Sequence, residues 1–283
     1  MNTDCVFYIG TTHDVCQDYA LTNNNNAVIS DGCSSSKYSD VGARILSITT
    51  MNKLHNLNSF YNFEEKEIIL LARPSIKMLD IPQECLDATI LAAKIFNNGL
   101  QALCCGDGVI VIKTKEGKTI IVNCTYTDSY PFYMNYLYNI TGGYTNWKEN
   151  HNKRHVVQLV YNSLGDMMYN LPVESQTERI QNDIGLIRTF ENKTIVEITN
   201  KEDIEYIAII SDGIHSFQET ITTNTSKYNQ SIPYLTVLEE LLSFKNFNKA
   251  FVKRRVKRFR KDCCKKNWHN YDDLSLAVIY IGE

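Results

Sequence analysis

Residues 27–45 read AVISDGCSSSKYSDVGARI, in which an apolar run ends at Asp31-Gly32 and a helical pattern follows a few small hydroxyl residues. The same order returns in residues 207–217, IAIISDGIHSF, where the apolar run ends at Asp212. A short apolar run that is rich in β-branched residues and bounded by turn residues is typical of a buried strand. The chain therefore brings an aspartate to the end of a buried strand twice, and both the fold and the site can be worked out from these two places.

Strand-like and helix-like segments are grouped along the chain and do not alternate regularly. Apolar runs predict strands at residues 5–10, 27–30, 100–105, 109–114, 119–125, 154–161, 194–199, 206–211 and 274–281. Helical periodicity predicts helices at residues 40–54, 83–96, 234–244 and 248–262, and a further helix over 63–81 that Pro74 is expected to interrupt. Runs of strands with helices in pairs are typical of an α+β fold. We find no linker or internal repeat, so we expect a single domain over residues 1–283.

Composition and charge exclude several classes of protein. The chain is 43% hydrophobic and 22% charged, which is ordinary for a globular protein, and it has no apolar run long enough for a transmembrane helix. Nine scattered cysteines without a Cys-x-x-Cys pair and an N-terminus without a basic region predict reduced thiols and a cytoplasmic location. The net charge of −3 makes nucleic acid an unexpected partner. The basic run 251–266 is expected to be a solvated helix face, with a surface for nucleic acid or an acidic partner as the alternative.

Six aspartates stand at the predicted ends of strands or in the turns beside them: Asp18, Asp31, Asp107, Asp212, Asp272 and Asp273. A single Asp-Gly after a strand is ordinarily only a turn, and only the combination of these positions indicates a site. In an antiparallel sheet, the end of one strand lies beside the start of its neighbour, so these carboxylates can meet at one edge. Crowded carboxylates repel one another unless a cation lies between them, and oxygen-only ligands suit Mg²⁺ or Mn²⁺. The sequence therefore predicts a divalent metal site.

Six motifs in this order resemble the metal-dependent serine/threonine protein phosphatases of type 2C, in particular their bacterial-type branch. They are HDVCQDYA, VISDGCSSSKYSDVGARI, LDATILAA, LCCGDGVIVI, IAIISDGI and DDLSLAVIYI. The resemblance implies a sandwich of two antiparallel sheets flanked by helix pairs, with a dinuclear Mn²⁺ or Mg²⁺ centre at one end. It also implies that a hydroxide bridging the two ions attacks phosphorus in line, without a covalent enzyme intermediate.

The resemblance assigns a role to each aspartate of the site. Asp31 would bridge the two ions, and the Gly32 carbonyl would bind one of them. Asp212 and Asp272 would complete the first site, and Asp272 is favoured over Asp273 because the family often has Asn at the second position. The remaining two aspartates have outer roles: Asp18 would hold a metal-bound water, and Asp107 would bind a third, weaker ion shared with Asp212.

Three positions depart from the family pattern. His13 stands roughly where many relatives place an arginine that grips phosphate, so we expect His13 to contact phosphate or substrate, with a plain loop histidine as the alternative. Gln17 stands where the eukaryotic form has a glutamate. Cys33 replaces a histidine proposed as the general acid, so the proton for the leaving group would come from water. The predicted catalytic residues are therefore Asp31, Asp18 and His13.

Two classes of function remain open. The first is an active phosphatase that acts on the phosphorylated protein substrate of a Ser/Thr kinase, and the second is a catalytically weak or inactive binding module with the same fold. A cysteine-dependent phosphatase is excluded because no cysteine begins a Cys-x5-Arg motif, and a P-loop is excluded because Ile112 stands where its first glycine belongs. Residues 126–153, rich in Tyr and Asn, are compatible with an excursion beside the site or with a packed loop.

Overall fold

The computed structural model describes residues 1–97, 99–126, 131–138, 155–161, 167–172, 178–181, 185–190, 192–223 and 225–282. The helices in these ranges are α1 (Ser39–Leu54), α2 (Glu65–Met78), α3 (Tyr234–Leu241) and α4 (Phe251–Lys265). The strands are β1 (Asn2–Tyr8), β2 (Asp18–Thr22), β3 (Asn26–Asp31), β4 (Ile90–Phe96), β5 (Gly99–Cys105), β6 (Gly108–Thr114), β7 (Thr119–Tyr126), β8 (His155–Tyr161), β9 (Met167–Pro172), β10 (Glu178–Gln181), β11 (Leu186–Thr189), β12 (Lys193–Ile198), β13 (Ile204–Ile210), β14 (Phe217–Thr222), β15 (Lys227–Ser231), β16 (Trp268–Asn270) and β17 (Leu274–Tyr280).

The strands in these described ranges form three antiparallel sheets. Sheet A has the order β1-β17-β13-β6-β7-β8-β9, and sheet B has the order β10-β11-β12-β5-β4-β3-β2. A small sheet C has the order β15-β14-β16. Strands β6 and β7, both predicted, form an antiparallel hairpin with residues 115–118 as its turn. The chain passes directly from sheet B to sheet A between β5 and β6, so the two large sheets are tied together at that end.

Sheets A and B pack face to face and each carries a pair of helices on its outer surface. Along β13, Ile207 and Ile209 point into the core between the sheets, whereas Ala208 and Ile210 point outward. The outward face of sheet A packs against apolar residues of α3 and α4, and that of sheet B against α1 and α2. This alternation is the period-two pattern of strands that are buried on both faces. The predicted α+β sandwich of two antiparallel sheets flanked by helix pairs is confirmed.

The predicted helix over residues 83–96 is wrong. Residues 83–86 form one 3₁₀ turn, and β4 follows as a central strand between β3 and β5. Leu91 and Ala93 pack into the core between the sheets, while Ile90 and Ala92 pack under α1 and α2. Because both faces of β4 are buried, its sequence is a continuous apolar run without the alternation that would have marked it as a strand.

Other local features also differ from expectation. Pro74 lies inside α2, which continues to Met78 without the expected interruption. Because proline has no N–H, the carbonyl of Leu70, four residues earlier, lacks its helical hydrogen bond. Leu70 is exposed, so solvent can reach this turn of the helix. Strands β2, β9, β10 and β11 and all of sheet C were not predicted. None of the helices in the described ranges is long and apolar enough to cross a membrane. All nine cysteines are free, as predicted.

Candidate active site

Four of the predicted aspartates are brought together by strand pairing. Asp18 and Asp31 are direct partners in the antiparallel ladder of β2 and β3, so their side chains lie on the same face of sheet B. Asp212 follows the end of β13, and Asp272 stands two residues before β17. Because β13 and β17 are antiparallel neighbours, with Ile210 opposite Leu276, the two aspartates meet at the same end of sheet A.

Asp107 lies in the crossing between the two sheets. The flanking Gly106 and Gly108 have φ of 100° and 138°, which favour glycine. A Cβ on Gly106 would also lie 2.7 Å from Thr89 Cγ2. The Gly-Asp-Gly sequence is therefore required for this tight crossing, which places Asp107 at the same end of the sandwich as the other aspartates.

A cavity of about 270 Å³ opens at this end of the sandwich. It is lined by Asp31, Asp107, Asp212 and Asp272, with Gly32 and His13 beside them. Asp18 is not part of the lining: its side chain is buried, and its Oδ2 accepts a hydrogen bond from Ser211 Oγ at 2.7 Å. The structure therefore brings four of the predicted carboxylates to one cavity and places the fifth behind them.

Burial, and after it crowding, raises the pKa values of Asp18, Asp31, Asp107 and Asp272. Burial, together with the nearby Asp212, raises the pKa of Asp18 to about 7 and that of Asp272 to about 6. The pKa values of Asp31 and Asp107 lie well above the ordinary range, for the same two reasons. Raised carboxylate pKa values mean that the ionised forms lack enough positive charge around them. A divalent cation in the cavity would supply that charge.

Unpartnered oxygen atoms show that the donor set suits such a cation. Asp18 Oδ1, Asp212 Oδ1 and Gln17 Oε1 are buried without a hydrogen-bond partner within the described residues. Buried acceptors of this kind need an explanation, and an ion is one. Hard oxygen ligands are those that Mg²⁺ and Mn²⁺ prefer. Across the described ranges, however, no three His, Cys, Asp or Glu side chains yet stand close enough to share one ion. The residues fit the metal by the chemistry of their oxygen atoms.

His13 lies at the edge of the cavity beside the two consecutive aspartates. Its Nε2 is 3.6 Å from Asp272 Oδ1, and its Nδ1 is 3.1 Å from Asp273 Oδ2, although the second contact lacks hydrogen-bond geometry. Burial lowers the pKa of His13, but the carboxylates of Asp273, Asp272 and Asp18 outweigh burial and raise it. His13 is therefore a cation-forming group at the cavity, and its contact with phosphate stays a prediction.

Asp272 and Asp273 occupy different environments. Asp273 is buried, and its carboxylate accepts hydrogen bonds from Gly10 N at 2.8 Å and Gln17 N at 2.5 Å. It thereby fixes the segment that presents His13. The Asp272 side chain is 42% exposed and lines the cavity. This contrast supports the choice of Asp272 over Asp273 as a ligand, because the oxygens of Asp273 are already used.

We expect Asp273→Asn to lower mainly the stability of the protein and Asp272→Asn to lower mainly its activity. An Asn amide at position 273 cannot accept both backbone N–H groups, so the free energy of unfolding should fall by about 2 kcal/mol. Asp272→Asn removes a carboxylate from the cavity and should lower metal-dependent activity with little loss of stability. Denaturant unfolding and phosphatase assays of both variants test this. Equal losses of stability in the two variants would contradict the separation of their roles.

Sequence reasoning missed several residues that line the cavity. Asp87 is one: its carboxylate accepts hydrogen bonds from Ser36 Oγ at 3.1 Å and Asn135 Nδ2 at 2.9 Å. It was hidden inside the segment wrongly predicted as a helix. Tyr133 and Tyr136 also line the cavity, so this part of the Tyr-rich segment 126–153 lies beside the site. Residues 127–130 and 139–153 of that segment fall outside the described residues.

Comparison with known proteins bears on the family and the fold of the chain. The family model described as protein phosphatase 2C matches residues 11–259. No curated protein sequence matches the chain. Among solved structures, a variant of a bacterial serine phosphatase has a TM-score of 0.53 at 13% identity, covering 100% of this chain and 98% of that one. Serine/threonine phosphatase PstP/Ppp of Mycobacterium tuberculosis has a TM-score of 0.50 at 12% identity, covering 99% and 98%. Stp1 from Staphylococcus aureus has a TM-score of 0.50 at 12% identity, covering 100% and 96%.

At these identities the solved structures demonstrate a shared fold and nothing more specific. The family model carries the assignment, because it spans most of the chain and includes the segments that supply Asp18, Asp31, Asp107 and Asp212. The chain belongs to the protein phosphatase 2C family of protein serine/threonine phosphatases.

Proposed function

We propose that this protein hydrolyses phosphoserine and phosphothreonine in proteins, using two Mn²⁺ or Mg²⁺ ions held by the aspartates of the cavity. The observation that carries the proposal is the convergence of Asp31, Asp107, Asp212 and Asp272 on one cavity. The pKa values of Asp31, Asp107 and Asp272 are raised by burial and by mutual repulsion. A cluster of this kind is unfavourable without cations and favourable with them.

The residues divide into ligands and outer groups. Asp31 would bind both ions, and the Gly32 carbonyl would bind one of them. Asp212 and Asp272 would complete the ligands of the first ion. Asp107 would take a third, weaker ion together with Asp212. When bound, a pair of divalent cations supplies a nucleophilic water at neutral pH and neutralises charge on the phosphoryl oxygens.

The remaining residues position groups and supply charge. Asp18 is a buried acceptor that Ser211 Oγ holds in place, so its free Oδ1 can orient a water next to the ligands. His13, in the cationic form that its carboxylate neighbours favour, would donate a charge-assisted hydrogen bond to a phosphate oxygen. Asp273 maintains the position of His13 through its bonds to Gly10 and Gln17.

The alternative is a catalytically weak or inactive module with the same fold. It is favoured by the lack, within the described ranges, of three side chains already positioned around one ion, and by the residues at positions 13 and 33. Clustered buried carboxylates are a stability cost that a binding module has no physical reason to keep. We therefore favour the active enzyme.

The wider setting follows from the same proposal. The partner would be a phosphorylated protein, in the simplest case the substrate of a Ser/Thr kinase, and residues 1–283 would act as a single domain. A cytoplasmic location is proposed with it. Nucleic acid is not proposed as a partner.

Hydrolysis of para-nitrophenyl phosphate by the purified protein tests the proposal directly. We expect turnover that rises with added Mn²⁺ and disappears in excess chelator, because the nucleophile depends on the ions. Calorimetric titration with Mn²⁺ should show binding under the same conditions. Turnover that persists in chelator would refute the mechanism, and the absence of both turnover and Mn²⁺ binding would establish the inactive module instead.

A further inference from the structure

Helix α4 carries a row of exposed cations on the side that faces away from sheet A. We call Lys253, Arg254, Lys257, Lys261 and Lys265 the basic face, and all five are exposed. The opposite side of the helix packs on sheet A through buried apolar residues. Of the five, Arg254 donates hydrogen bonds to Asn246 Oδ1 and to the Asn248 carbonyl and so holds the segment before the helix. The four lysines are not needed to dock the helix, since packing of the apolar side does that.

The cations of the basic face repel one another. Lys253, Lys257 and Lys261 follow at intervals of four residues, which places them one above the other on the helix surface. Within the described residues, none of these three has a carboxylate at ion-pair distance, and only Lys265 has one, Asp262 at 3.4 Å. Like charges at this spacing destabilise a helix. Uncharged polar residues would keep the helix soluble without this repulsion. The row of cations therefore does not serve the stability of the helix, which favours a role in binding another molecule.

The charge of α4 contrasts with that of the rest of the chain. The helix has eight Lys/Arg and one Asp. The whole chain has 29 Lys/Arg and 32 Asp/Glu, so the remaining 21 and 31 give the rest of the chain a net charge of −10. An extended polyanion such as duplex nucleic acid, or an anionic membrane, would be repelled by that remainder. A short acidic segment could contact the helix alone.

The chemistry of the basic face also favours an acidic polypeptide. The aromatic residues of α4, Phe251 and Phe259, are at most 1% exposed and lie on the packed side. The basic face therefore offers no rings on which single-stranded bases could stack and no apolar surface that could enter a membrane. It offers ammonium and guanidinium groups, which pair with carboxylates and phosphorylated side chains.

The basic face leads toward the candidate active site. The Arg260 guanidinium lies 4.9 Å from the centre of the Tyr8 ring, and Tyr8 pairs with Leu274 at the end of sheet A that carries Asp272. Lys265, at the C-terminal end of α4, is seven residues before Asp272, so the two Cα atoms are separated by at most about 25 Å. A polypeptide whose phosphorylated residue is in the cavity can reach the basic face with a segment of about eight residues.

We propose that the basic face of α4 binds an acidic segment of the phosphorylated protein substrate. This inference rests on the proposed phosphatase function and specifies its substrate class: phosphoproteins with a run of Asp, Glu or additional phosphorylated residues some eight residues from the phosphate that is removed. Such a contact raises the association rate and the affinity of substrates that carry the run, and leaves the chemistry at the phosphate unchanged.

The test uses the full chain with Lys253→Gln, Lys257→Gln and Lys261→Gln combined. The probes are two phosphothreonine peptides, one with about six glutamates some eight residues away and one with glutamines in their place. In the wild type, kcat/KM should be about tenfold higher for the acidic peptide, through a lower KM, and this advantage should shrink with added salt. The triple variant should lose the advantage and keep its activity on para-nitrophenyl phosphate. Its melting temperature should be equal or higher, because repulsion within the helix is relieved.

A matched control replaces three other exposed lysines, Lys66, Lys77 and Lys115, with glutamine. These lie outside α4, so the preference for the acidic peptide should persist. Fluorescence anisotropy with the unphosphorylated acidic peptide measures the contact without turnover, so a failure of the phosphatase proposal can be told apart from a failure of this one. Equal kcat/KM of the wild type for both peptides would overturn the inference. So would tighter binding of duplex DNA than of the acidic peptide, or a dimer that the triple variant abolishes.

Discussion

Replacing Asp31 with asparagine is expected to reduce Mn²⁺-dependent hydrolysis of para-nitrophenyl phosphate by at least about a thousandfold, which corresponds to about 4 kcal/mol of transition-state stabilisation. Asp31 faces Asp18 across the β2–β3 ladder and lines the cavity together with Asp212. An Asn amide at this position carries no charge and cannot bridge two cations. Asp212→Asn should cause a loss of similar size, because the carboxylate from sheet A is then missing.

The loss in Asp31→Asn should not come from unfolding. The raised pKa of Asp31 shows that its ionised form is unfavourable in the metal-free fold. Asparagine at this position should therefore raise the melting temperature of the metal-free protein while it lowers Mn²⁺ affinity in calorimetry. Asp14→Asn provides a matched control from the nearby loop, because Asp14 is exposed and does not line the cavity. A variant at position 31 that keeps near-normal turnover would disprove the assignment of Asp31.

The two Ser-Asp-Gly segments allowed the site to be predicted because they obey local rules. Each is a buried strand followed by a turn, and antiparallel pairing places the ends of such strands beside the start of the next. The pairing of Ile210 with Leu276 brings Asp212 and Asp272 to one edge in the way this rule requires. The sandwich could be predicted for a similar reason. The period-two pattern of a strand such as β13 indicates which face of the sheet each residue occupies.

Features that depend on long-range packing could not be predicted in this way. Strand β4 lies between two other strands and is buried on both faces, so its residues are apolar almost throughout. Its sequence therefore lacks the alternation that distinguishes a strand from a buried helix. The position of Asp87 depends on β4 and on Asn135, which is 48 residues away along the chain. Likewise, no local pattern distinguishes Asp272 from Asp273. Only the backbone N–H groups of Gly10 and Gln17, more than 250 residues away, make the second a structural residue.

Without divalent metal, the protein should be less stable at pH 8 than at pH 5. The pKa of Asp18 is about 7 in the folded protein, against about 3.8 in the unfolded chain, so between these values the folded state binds more protons. The contribution of Asp18 to the free energy of unfolding is therefore fully present below about pH 4. It is lost as the pH rises through 7. The full loss corresponds to at most about 4 kcal/mol for Asp18, of which at most about 3 kcal/mol falls between pH 5 and pH 8. Asp272 acts in the same direction with a smaller effect, because solvent screens its partly exposed side chain.

Bound cations should reverse this dependence, because they favour the ionised carboxylates and ligation displaces the protons. Denaturant unfolding at pH 5 and pH 8, in chelator and in Mn²⁺, gives the four values needed. Asp18→Asn should reduce the dependence in chelator without abolishing it, because Asp31, Asp107 and Asp272 also have raised pKa values. Asp80→Asn, at an exposed carboxylate after α2, should leave the dependence unchanged. Greater stability at pH 8 than at pH 5 in chelator would mean that the carboxylates are not crowded in the metal-free fold. The main electrostatic reason for placing cations among them would then be lost.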